Sequence, residues 1–249
     1  MNATRTTAAA PAKAGMDADR KAAVWIGALY IIGTVALVLS VFVTDAVLSG
    51  PGFLAQVAAQ PNQLAIGALL VLVAGVSLAM VPVVFWPIGK RYNETLAMGY
   101  VVFRGGQEMV MYIATALGWL LLIALSTNPD AAPLATFVRT VEAVAWDQLL
   151  AIPFALGALM FYVVLYQSRL VPRWLSVWGL VGAVLYLVPP LGSMFGHSVG
   201  FLMGPLAVQE MVMAVWLMAK GFDPAALAGR PAEAAPSRQV GTSRLVSAA

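Results

Sequence analysis

Residues 64–88 read LAIGALLVLVAGVSLAMVPVVFWPI, twenty-five positions without one charged side chain. At about 1.5 Å per residue, a helix of that length spans about 37 Å, more than a hydrocarbon core of about 30 Å. A membrane strand would alternate apolar and polar residues, and this block is apolar throughout. In lipid every backbone N–H and C=O must be satisfied inside its own segment, so the stretch is predicted to be a transmembrane helix.

The same reading extends outward. Apolar runs also occupy residues 24–43, 96–125, 149–166, 174–191 and 199–219. The expected fold is all-α, a polytopic bundle of six membrane helices. The run at 96–125 is thirty residues long, so part of it must tilt or leave the hydrocarbon. The domain plan is a disordered tail at 1–21, a membrane domain at 22–224 and a second disordered tail at 225–249. Both tails are rich in small and polar residues. The first apolar run, with 20 residues, is too long for a secretory h-region. Met16 is an alternative start.

Composition agrees. The chain has 249 residues, 61% of them hydrophobic and 10% charged, which is too few charges for a wetted globular surface. Six spans use most of the length, leaving no room for a soluble enzyme domain. Cysteine is absent and His197 is the only histidine. This excludes disulfides, thiolate catalysis, iron–sulfur clusters, an H-E-x-x-H zinc site and a haem held by two histidines of one chain. No cofactor is expected.

Orientation follows from the cations. Twelve of the fourteen Lys and Arg residues fall in the N-terminal tail, the second-to-third and fourth-to-fifth connections and the C-terminal tail. Arg139 is the one cation on the other side, and Arg104 is inside the third run. By the positive-inside rule both termini are predicted to be cytoplasmic. The net charge of +3 thus follows the membrane, and no nucleic-acid partner is expected. Trp25, Trp86 and Trp174 mark cytoplasmic helix ends, and Trp119 and Trp146 outer ones. Residues 126–148 form the longest outer connection, read as a solvated loop, with a short interfacial helix through Phe137, Val138, Val141 and Val144 as the alternative. Pro82, Pro87, Pro153 and Pro205 either break helices at a binding site or are ordinary membrane-helix prolines.

Three stretches carry a family resemblance. They are residues 90–104 (KRYNETLAMGYVVFR), residues 159–179 (LMFYVVLYQSRLVPRWLSVWG), and Gln209-Glu210-Met211-Val212 with Trp216-Leu217 and Lys220-Gly221-Phe222. Together they resemble domain-of-unknown-function family 4386 from about Ala22 to Pro224. The resemblance implies a six-helix protein of the bacterial cytoplasmic membrane. It implies no activity, cofactor or catalytic residue.

Charged side chains within a span are costly and are candidates for function. Here they are Arg104, Glu108 and Glu210. At about 1.5 Å per residue, Arg104 lies about 12 Å from the cytoplasmic end of its helix, Glu108 about 18 Å and Glu210 about 15 Å. All three are expected at one level. Arg104 and Glu108 are four apart and share a helix face, which Tyr100, Tyr112 and Thr115 extend. Gln107 and Gln209 are accessory candidates. The sequence QEMVM at 107–111 recurs at 209–213. An inverted repeat would make the two segments equivalent; the halves match poorly elsewhere, and coincidence is the preferred reading. Gly192, Gly196, Gly200 and Gly204 form either a helix-contact ridge or turns, and His197 is read as a surface residue.

One cation with two anions leaves a formal charge of −1, which is the physical reason to consider proton linkage. The cluster is either a packing device or a binding site. Three functional classes follow: a carrier or sensor of a small hydrophobic or proton-linked ligand, a scaffold for a partner complex, and an enzyme. The enzyme reading is weakest, because the spans hold no nucleophile–base pair, paired aspartates or phosphate loop. The bilayer is the expected partner; a ligand, a protein partner and self-association stay open. A carrier needs a hydrated cavity reaching the buried charges, whereas a scaffold can have a dry core.

Overall fold

A computed structural model describes residues 10–197 and 199–228. Every regular element among them is helical. Six helices are long and apolar enough to cross a membrane: Asp17–Leu48, Pro61–Gly89, Glu94–Leu125, Ala132–Ser168, Arg173–Ser193 and Gly200–Ala219. The chain is a multi-pass membrane protein.

The first span lies in α1 (Ala10–Leu48), followed by a short α2 (Phe53–Ala59) and by α3 (Pro61–Gly89). The third comprises α4 (Glu94–Tyr100), a π-helical segment (Val101–Gln107) and α5 (Glu108–Leu125). The fourth comprises α6 (Ala132–Val144), a second π segment (Ala145–Leu150) and α7 (Ala151–Ser168). Then come α8 (Arg173–Ser193), α9 (Gly204–Ala219) after a turn of 3-10 helix, and α10 (Pro224–Ala228).

Packing closes the spans into a ring. α1 packs on α3 and α9, α3 on the first π segment and α5, that π segment on α7, α7 on α8, and α8 on α9. Large apolar side chains such as Phe42, Leu69, Val110 and Leu117 point outward and are exposed. On a soluble protein so much exposed apolar surface would mark an interface; around a membrane bundle it is the lipid face. The buried polar side chains, Arg104, Glu108, Gln209 and Glu210 among them, lie inside the ring.

Several boundaries differ from the sequence reading. The N-terminal tail was expected to be disordered through residue 21, yet residues 10–21 belong to α1. The reason is docking: Arg20 donates hydrogen bonds to the carbonyls of Leu217, Met218 and Ala219, and buried Asp19 pairs with Arg91 at 3.6 Å. On the C-terminal side, residues 225–228 belong to α10, where Tyr92 donates to the Ala226 carbonyl. The expectations for residues 1–9 and 229–249 lie outside the described residues.

The connection between the third and fourth apolar runs is also largely helical. Leu134, Phe137, Val141 and Val144 form the exposed apolar face of α6, while Ala135 is buried and Val138 packs on the core. The solvated-loop reading is corrected to a helix at Ala132–Val144. α6 continues into α7, and the resulting 37 residues measure about 55 Å, so one end must stand clear of the hydrocarbon. Pro153 accounts for the π segment before α7. It has no N–H for the Leu149 carbonyl and its ring crowds that group, so the ladder widens there. Trp119, expected at the headgroup level, is packed inside.

The segments rich in cations meet at one end of the bundle. Arg20 of the first span caps the end of α9, Arg91 of the second-to-third connection pairs beside it, and Asp223 N–H donates to Leu170 O of the fourth-to-fifth connection.

Candidate functional site

Arg104 sits within the first π segment. The Glu108 N–H bonds the Phe103 carbonyl five residues back, so the helix is one residue wider at this turn. Gly157 of α7 is what lets that wide turn fit. A Cβ there would stand 3.2 Å from both the Arg104 Cβ and the Arg104 backbone nitrogen. Such π turns recur at functional sites.

The three charges expected at one level do meet. Arg104 Nε lies 3.2 Å from Glu108 Oε2, and Arg104 Nη2 lies 3.4 Å from Glu210 Oε1. The guanidinium lies over the Phe154 ring at 4.3 Å and faces Tyr30 at 5.6 Å. Arg104 and Glu108 are fully buried; Glu210 keeps 7% of its surface. The third and sixth spans are not neighbours in the ring, so the long Arg104 side chain bridges the middle. Tyr112 donates to Glu108 Oε1 at 2.9 Å.

Hydrogen bonds extend the cluster in two directions. Tyr30 and Tyr100 share a hydrogen bond of 3.0 Å, and Tyr100 stacks on Phe161. Gln209 accepts from the Tyr162 hydroxyl and donates to the Leu175 carbonyl at 3.0 Å. Gln209 is therefore a brace joining α9 to α7 and α8. Gln107 does not join the cluster; it is exposed on the outside of the π turn. The two QEMVM segments are thus inequivalent, since one glutamine faces out and the other is fully buried. Thr115 is buried one turn beyond Tyr112, off the cluster. Gly196 has φ 81°, the turn reading, and no neighbour crowds Gly200 or Gly204, so the ridge reading is set aside. His197 is exposed.

A cavity of about 190 Å³ reaches the charged cluster. Its walls include Thr34, Arg104, Tyr112, Trp146, Tyr186 and Glu210. Arg104 belongs to this wall, and its buried Nη1 has no hydrogen-bond partner among the described residues. A buried donor left unpaired is costly, and water or a ligand with an acceptor atom would relieve it. A second cavity of about 190 Å³ lies towards α6, against Ser40, Asp45, Trp119, Arg139 and Glu142. Arg139 and Glu142 pair at its edge. Trp146, on the second π segment, borders both cavities.

The family described as "Domain of unknown function (DUF4386)" matches residues 25–221. The chain belongs to that family. No curated protein and no solved structure matches it. For this DUF4386 chain the match spans all six membrane helices and all three charges of the cluster. Among the described residues, no group of three or more His, Asp or Glu could hold a metal ion.

Sequence reading found the charges but not their surroundings. Tyr30, Tyr162, Phe154, Tyr186 and Trp146 come from four other elements, and nothing in their spacing to Arg104 signals proximity. The π turn had one local cue, the Gly105-Gly106 pair after a buried arginine.

Proposed function

We propose that the chain is a non-enzymatic ligand-binding membrane protein, a carrier or sensor of a small, partly apolar molecule. The observation that carries this is the cavity ending on Arg104 and Glu210. A dry scaffold needs no cavity at its charges, and a binding protein does. A cavity of about 150 Å³ holds benzene, so about 190 Å³ takes one small organic molecule. Trp146 lines both this cavity and the one beside α6, which suggests a route between them past its side chain. By the distribution of cations, α6 is on the outer face of the bacterial cytoplasmic membrane and both termini are inside.

The test is hydration. Hydroxyl-radical footprinting of the protein in nanodiscs should label Trp146 and Tyr186 strongly while sparing Tyr100 and Tyr162. Equal protection of all four makes the core dry and removes the proposal. A deletion strain grown against a panel of solutes and membrane stresses then narrows the ligand.

A second reading is favoured by the complete burial of Arg104 and Glu108. In it the cluster only fixes helix register, and the protein supports a partner complex. Protection in the footprinting experiment is the outcome it expects.

A further inference from the structure

We propose that the cavity beside Arg104 and Glu210 takes a small organic cation, an ammonium bearing one apolar group, in exchange for a proton. This rests on the preceding reading of the cavity as a ligand site and names its ligand class.

Charge comes first. One guanidinium and two carboxylates carry a formal charge of −1. Arg104 is already engaged by Glu108 at 3.2 Å, by Glu210 at 3.4 Å and by the Phe154 ring. Glu210 is the least buried member, with side-chain exposure of 9% against 1% for each of the others. A ligand approaching through the cavity thus meets the surplus carboxylate charge. The same wall carries aromatic side chains, Tyr112, Trp146 and Tyr186, from three elements. Ring faces attract a desolvated ammonium, and their area suits an attached apolar group. Arg104 Nη1 lacks a partner and favours an acceptor atom. One hydrogen bond is a smaller effect than an uncompensated unit charge in a poorly screened interior, so the charge decides. An anion would add to the surplus.

The same arithmetic links the site to protons. One surplus charge is neutralised by one proton or one organic cation, not both. The charged and titratable groups acting on Glu210 are Arg104, Glu108, Tyr30, Tyr100, Tyr162 and Tyr186. α3 contributes only apolar Leu78 to this wall. Neither lysine nor histidine is among these groups, so the exchangeable proton belongs to a carboxyl, Glu210 or Glu108. Cation entry sends it to solvent.

The test uses three probes of nearly one shape: benzylammonium, benzyl alcohol and benzoate. Calorimetric titration into the full chain in nanodiscs, with empty nanodiscs as blank, should rank them in that order. Benzylammonium is expected to bind at least about tenfold tighter than the alcohol. Repeating the titration in two buffers of different ionisation enthalpy should show release of about one proton per cation bound. Glu210→Gln should abolish the preference for the cation. Should that variant fail to fold, Trp146→Leu carries the test, weakening benzylammonium about fivefold and benzyl alcohol little. Equal affinity for cation and alcohol, or tightest binding of benzoate, overturns the ligand class while leaving a ligand cavity. Cation binding without proton release overturns the exchange. No binding by any probe overturns this proposal; whether the ligand-site reading falls with it is decided by the footprinting.

Discussion

Arg104 Nη2 reaches Glu210 Oε1 at 3.4 Å across the middle of a ring in which their helices are not neighbours. A single long side chain thus ties the third span to the sixth. Arg104→Ala leaves two buried carboxylates without their cation and is expected to destabilise the protein by about 3–5 kcal/mol. Replacing Arg104, Glu108 and Glu210 together by leucine or methionine should cost far less, because no buried charge remains. Thermal unfolding of the purified proteins in one detergent measures both. Equal losses for the single and triple variants would mean that the charges are not coupled.

Gln209 makes its own prediction. It is fully buried, accepts from Tyr162 and donates to the Leu175 carbonyl. Gln209→Leu strands the Tyr162 hydroxyl in the core, at about 1–3 kcal/mol for the group left unpaired. The double variant with Tyr162→Phe should recover part of the loss by removing the hydroxyl. A double variant less stable than the sum of the two singles would remove this account.

The docking of the N-terminus is tested at Arg20. Its guanidinium donates to the Leu217, Met218 and Ala219 carbonyls in the last turn of α9, of which Leu217 also accepts from the Gly221 N–H, and a cation there suits the helix dipole. Arg20→Ala is expected to cost about 1 kcal/mol, less at high salt because the group is exposed. Arg20→Lys should recover little, since one ammonium cannot reproduce the fork of donors. An unchanged melting temperature for Arg20→Ala would make the contact incidental.

Orientation is tested by reporters. Fusions at Lys21, Lys90, Arg169 and Lys220 should report the cytoplasm, and fusions at Gly50, Asp130 and His197 the outside. The expectation rests on the one-sided distribution of Lys and Arg. An external C-terminus would overturn it and, with it, the outward direction assigned to α6.

The number and rough bounds of the six spans were readable along the chain. Lipid offers the backbone no partner, so each crossing must satisfy itself locally, and a local requirement leaves a local pattern. The level shared by Arg104, Glu108 and Glu210 was readable for a related reason, because helical rise converts sequence position into depth. The helical state of residues 10–21 and the whole of α6 were not. Arg20 is an ordinary polar tail residue until the end of α9 is beside it, and the polar half of α6 resembles a loop until its apolar half lies in lipid. The order of helices around the ring, the cavity between the third and sixth spans and its wall of Tyr112, Trp146 and Tyr186 were decided only by tertiary structure. Hydropathy sets how deep a side chain sits in the membrane but not the direction in which it points around its helix axis. That rotation is settled by packing between helices far apart in the chain, such as Gly157 against the Arg104 turn.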